Sequence, residues 1–145
     1  MEQLSRNYHM RLQEMCDCFM DTDYQAELSR RIEVQSATLE EEALRYFALA
    51  ILFTLTVKDR QLALKIKKGT TKVTVSSERE KRTLPPPPEE VIDKIVEIVR
   101  AITHIELDHG EMPLSLGLRS GQVEVQVKFR KSEDGESVKL VFPEL

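Results

Sequence analysis

Apolar residues recur at Leu4, Tyr8, Leu12, Met15 and Phe19, in steps of 4, 4, 3 and 4. That spacing lays one stripe along a helix and predicts a helical segment over 2–20. A break follows at Asp21-Thr22-Asp23. Thr22-Asp23-Tyr24-Gln25 fits a capping box, in which the Thr hydroxyl and the Gln amide satisfy free backbone donors. The helix it opens is weak, with Tyr24, Leu28 and Ile32 as its stripe, and it fades into VQSAT.

A second capping box, Thr38-Leu39-Glu40-Glu41, opens a helix over about 39–58. Glu40, Glu41 and Glu42 fill its first turn, where the macrodipole favours carboxylates, and Lys58 and Arg60 stand at its far end. Residues 46–53 are apolar all the way round, so this helix needs cover on more than one side. The uncharged run 46–57 is well short of the roughly 20 residues of a bilayer span, and no membrane role is expected.

Period-2 alternation begins next. Placing Lys68-Gly69 in a two-residue turn pairs Ile66 with Thr71, Leu64 with Val73 and Leu62 with Val75, all apolar partners on one face. The charged run SSEREKR and Pro85–Pro88 then read as a stiff extended connector. Pro88 suits the first position of a following helix, about 88–107, with Glu89 and Glu90 beside it. Ile92, Val96, Val99 and Ile102 form the buried side of that helix, and Gly110 is the expected left-handed stop. Leu114, Leu116 and Leu118 alternate up to a turn at Ser120-Gly121, and Val123, Val125, Val127 and Phe129 alternate back. A turn at Asp134-Gly135 pairs Phe129 with Leu140 and Val127 with Phe142.

Sliding the chain by 52 residues lays Leu62, Leu64, Gly69, Val73 and Val75 on Leu114, Leu116, Gly121, Val125 and Val127. The match suggests an internal duplication. The expected fold is α+β: two helix–β-hairpin units and a final strand, forming an antiparallel sheet of about five strands with helices on one face. It is one domain, with an N-terminal helical segment (1–36), a first unit (37–77), a connector (78–88) and a second unit (89–145). The order of helices and strands is similar to that of small acidic dimeric secretion chaperones, a likeness of element order that no motif carries.

Composition narrows the field further. The 145 residues carry a net charge of −4 and are 41% hydrophobic, which suits one folded domain rather than a disordered or uniformly basic chain. Two cysteines, Cys16 and Cys18, make no disulfide framework, and the start MEQLSRNYHM is no signal peptide, so a cytoplasmic location is expected.

Catalytic motifs are missing: no glycine-rich phosphate loop, G-x-S-x-G, H-E-x-x-H or C-x-x-C occurs. Cys16 and Cys18 with His9 fall short of a zinc set, because residues two apart on a helix do not face each other. His104 and Asp108 stand at i, i+4 with Glu106, His109 and Glu111 nearby, but a charged, solvated helix end accounts for them. Helix-start electrostatics accounts for Glu40–Glu42. No catalytic residue, metal site or cofactor is therefore expected.

One stretch stands apart. Residues 58–82 hold nine basic residues against three acidic ones. In the hairpin register Lys65, Lys67 and Lys72 point away from the core, as a partner surface for a phosphate, a nucleic acid or an acidic protein, or as edge protection. Leu4, Tyr8, Leu12, Met15 and Phe19, with Leu49 and Leu52 on the apolar helix, form a dimer surface or a cover for the core. The leading expectation is a small homodimeric interaction or adaptor protein without catalytic activity. The alternative is an anion- or nucleic-acid-binding module working through the basic hairpin, with nucleic acid the less expected ligand because no aromatic residue is interleaved there for base stacking. An enzyme or metal-binding protein comes third.

Overall fold

The structure, a computed structural model, describes residues 2–20, 22–29, 38–57, 60–67, 69–119 and 121–143. In chain order the elements are α1 (Glu2–Phe19), α2 (Tyr24–Ser29), α3 (Leu39–Thr56), β1 (Gln61–Lys67), β2 (Thr70–Ser76), β3 (Lys81–Leu84), α4 (Glu89–Thr103), β4 (His109–Leu118), β5 (Gly121–Ser132) and β6 (Gly135–Val141). The class is α+β: four helices packed with one six-stranded antiparallel sheet, ordered β3-β2-β1-β6-β5-β4. No described helix is long and apolar enough to cross a membrane.

The helix ends show which caps the chain uses. Thr38 Oγ1 accepts from Glu41 N at 3.1 Å, as the second capping box predicts. The first box is not used. Thr22 Oγ1 donates back to Phe19 O at 2.6 Å, and Asp23 Oδ1 accepts from Ala26 N at 3.2 Å in its place. Asp is the stronger N-cap of the two. Ile32, expected on that helix's stripe, and 34–37, into which the helix is expected to fade, lie outside the described residues. Pro88 is the N-cap of α4, with ψ of 153°, rather than its first helical residue.

The end of α4 comes four residues earlier than expected, and Gly110 does not stop it. His104 takes the left-handed conformation at φ 60°. Arg100 then holds the chain that follows, donating from Nε to Ile105 O at 3.1 Å and from Nη2 to Glu106 O at 2.6 Å. Its guanidinium lies 4.7 Å from the Phe129 ring centroid. Gly110 belongs to β4, where a Cβ would come within 2.9 Å of the Ile105 side chain.

A sixth strand, β3, replaces part of the expected connector. Ser77 N donates to Glu80 O at 2.8 Å and Ser77 Oγ accepts from Glu80 N at 3.2 Å, which reverses the chain. Leu84 then enters the core opposite Val73. Lysine and arginine are common on exposed edge strands, so a charge run conceals a strand here.

The first hairpin has the predicted register, with Leu64 opposite Val73 and Leu62 opposite Val75. The third is shifted by two: Phe129 faces Val138 and Val127 faces Leu140. The turn falls at 133–134, because Gly135 is needed in the β1–β6 ladder, where it faces Lys67. A Cβ there would overlap the carbonyl of Ile66. The 52-residue offset does not carry one hairpin's pairing onto the other, since Leu116 faces Val123, not Val125. β1 is also interior where β4 is an edge.

Every residue from Ala43 to Thr54 is buried, and α3 is in contact with α1, α2, α4 and β1. The cover comes from this chain. Tyr8, Leu12 and Cys16 of α1 and Leu28 of α2 are buried in the same cluster as Leu49 and Leu52. Arg45, itself buried, donates from Nη1 to Glu27 O at 2.9 Å and from Nη2 to Glu42 Oε1 at 3.2 Å, tying α2 to α3. Below the helices, Leu62, Leu64, Val73, Val75, Val127, Phe129, Val138 and Leu140 close the core from the sheet. At the edge of the sheet, α1 covers the end of β4 around residues 115–119. His9 Nε2 donates to Ser115 O at 2.6 Å, Gln13 Oε1 accepts from Gly117 N at 2.6 Å, and Asp17 Oδ1 accepts from Arg119 N at 2.9 Å.

Candidate cationic sheet face

Alternation along each strand sends one set of side chains into the core and the other to the opposite face. From the observed register, that opposite face carries Lys65 and Lys67 of β1, Lys72 of β2, Lys81 of β3, Lys128 and Arg130 of β5 and Lys139 of β6. All are exposed except Lys139, which is half-buried. Two acidic residues, Glu111 and Glu124, share the face. Among the described residues, none of the seven cations is in an ion pair. Ala63 and Thr74, short side chains between longer neighbours, are buried on it.

The pairing concentrates this charge. Lys65 stands directly opposite Lys72, and Lys128 directly opposite Lys139. Like charges opposed across an antiparallel pair destabilise a sheet. One cross-strand row runs Lys72, Lys65, Ser137, Arg130, His109, and the next runs Thr74, Ala63, Lys139, Lys128, Glu111. Strands about 4.8 Å apart make the first row about 19 Å long. Between β4, β5 and β6 the face dips into a hollow of about 350 Å³, lined by His109, Gly110, Glu111, Lys128, Phe129, Arg130, Ser137 and Lys139.

Set beside known proteins, the chain matches no family model and no curated protein.

The structure thus joins Lys65, Lys67 and Lys72 to a second group, Lys128, Arg130 and Lys139, that sequence reasoning missed. The matching parity of Lys128, Arg130 and Lys139 was visible in the strands. Their neighbourhood with Lys65 depends on the β1–β6 ladder, which no local pattern announces.

The other candidates disperse. His9 bonds to β4, Cys16 is buried and Cys18 exposed. Burial, then the neighbouring Asp17 carboxylate, pushes the Cys16 thiol up to about 12, so it stays protonated. His104 caps α4, which ends before Asp108, so the i, i+4 relation of those two does not form. His109 lies on the sheet face instead. Glu40 pairs with Arg11, Glu42 with Arg45, and Glu41 donates its amide to the cap. Among the described residues, no three His, Cys, Asp or Glu side chains are grouped to hold a metal ion. Of the apolar set, Tyr8, Leu12, Leu49 and Leu52 are buried, and Met15 and Phe19 pack partly buried against the same core. The Leu4 side chain lies outside the described residues.

Proposed function

We propose that the protein binds chains of phosphate groups across this sheet face and recognises them by charge. Two directly opposed lysine pairs on one face, Lys65–Lys72 and Lys128–Lys139, carry the reading. Such pairs weaken the free sheet, and an anion lying between them removes the repulsion. Among the described strand residues no Phe, Tyr or Trp side chain has the parity of this face, Phe129 at the hollow being on the core side, so bases find no stacking platform and contacts fall on phosphates.

The expectation of a homodimeric adaptor drew on an apolar helix in need of cover. α1 and α2 occupy that ground within the chain, which leaves the cationic face as the better supported reading. The test is fluorescence anisotropy with a labelled single-stranded oligonucleotide, using inorganic polyphosphate and polyglutamate as competitors. Binding is expected at about 50 mM salt, with affinity falling steeply as salt rises. K65E/K67E/K72E should weaken it at least about tenfold and flatten the salt dependence. Polyphosphate should compete strongly, and polyglutamate, whose charges are more widely spaced, much more weakly; equal competition would mean that phosphate is not the preferred anion. No binding at low salt, or an unaffected triple variant, removes the proposal.

A further inference from the structure

The hollow at β4–β6 differs from the rest of the face in its chemistry. Three cations, Lys128, Arg130 and Lys139, converge there with the Ser137 hydroxyl and the His109 imidazole, and Glu111 stands opposite Lys128. Arg130 offers a planar fork matched to two phosphate oxygens, while the lysines supply point charges. Glu111 is the residue that a site for a bare anion would omit. Glu111 faces Lys128 across the ladder; once a phosphate engages the cations, the Glu111 carboxylate, which only accepts, is matched by a ligand that also brings a donor.

From this we infer that the hollow binds a phosphate monoester carried on a hydroxyl-bearing sugar. Arg130, Lys128 and Lys139 hold the phosphate, Ser137 adds a hydroxyl contact, and Glu111 accepts from a sugar hydroxyl. The volume of about 350 Å³ is sufficient for a pentose phosphate. This inference rests on the phosphate-binding reading of the whole face. It places a terminal sugar phosphate at the β4–β6 end and the following phosphates along the row towards Lys65 and Lys72.

The test is an NMR titration of the ¹⁵N-labelled protein with ribose 5-phosphate, inorganic phosphate and ribose. Ribose 5-phosphate should shift the amides of residues 109–111, 128–130 and 137–139 and bind at least about tenfold more tightly than inorganic phosphate, while ribose alone shifts nothing. R130M/K139M should abolish the response. E111A should bring ribose 5-phosphate down to the level of inorganic phosphate. K65E/K67E/K72E should leave the response in place while weakening the oligonucleotide. Thermal melts of each variant establish that it is folded. If the oligonucleotide binds but ribose 5-phosphate shifts other residues or none, the hollow has been misassigned and the phosphate-binding reading survives. An unaffected E111A removes the sugar from the inference. Failure of the oligonucleotide itself removes the reading beneath it.

Discussion

Tyr46 sits in the middle of α3 with its hydroxyl donating to Pro85 O at 2.6 Å. Burial raises its phenol above the usual 10.0. The folded protein therefore keeps this proton at pH values where the unfolded chain has lost it. Its contribution to stability is full below pH 10 and declines as pH rises further. Cys16 has the same sign, from 9.0 in the unfolded chain to about 12 in the fold. That difference corresponds to stability on the order of a few kcal/mol, lost between those limits. Urea midpoints should therefore fall steadily above pH 9. Y46F should flatten the part above pH 10, and at neutral pH it should cost about 1 kcal/mol through the lost hydrogen bond. A midpoint constant from pH 8 to 11 would contradict this account. The same burial separates the two thiols kinetically: a thiol reagent should label Cys18 in the native protein and reach Cys16 only after denaturation.

Gly135 shows how a single element fixes its own register. At φ 155°, with the Ile66 carbonyl where a Cβ would stand, it admits no side chain. Gly121, at φ 132°, has nothing within 4 Å of that position. G135A should therefore cost about 3 kcal/mol or more and lower the melting temperature well beyond the strain-only loss of G121A. Equal losses in calorimetry would show that the carbonyl gives way. The first hairpin was legible in the sequence because Gly69 and the alternating faces agree on one turn. The third was not, because alternation returns the same face after a slip of two, and Asp134-Gly135 is a good turn pair in isolation. β3 was hidden for a different reason. Lys81 and Arg82 read as a solvated charge run, and only Leu84 opposite Val73 marks an inward face. Three of the seven cations of the candidate site, Lys65, Lys67 and Lys72, were visible beforehand, since one hairpin sets their direction. The rest required the order of strands in the sheet.

Across the whole molecule, α1 covers the last strand as well as the core. His9, Gln13 and Asp17 step along the helix by four residues, about 6 Å, and meet Ser115 and Gly117 of β4 and Arg119 just past its end, which step by two, about 6.7 Å. The near match lets one polar stripe satisfy successive groups of an edge that would otherwise accept a foreign strand. H9A/Q13A/D17A keeps Tyr8, Leu12 and Cys16 and should open that edge alone. Compared with the unaltered protein, it should show concentration-dependent self-association in sedimentation velocity. Lost stability without added association would mean that the stripe only anchors the helix. The opposite relation holds at the centre of the sheet. β1 needs β6, and the two ladders' residues, 61–67 and 135–141, lie far apart in the chain. During synthesis β1 waits, paired on one side only, until β6 leaves the ribosome. An apolar strand in that position would be a template for aggregation, and Lys65 and Lys67 are gatekeepers on it during the wait. K65V/K67V should therefore refold with a lower soluble yield as concentration rises, measured by light scattering. On this view the two lysines act first on the nascent chain, and only afterwards as part of a finished surface.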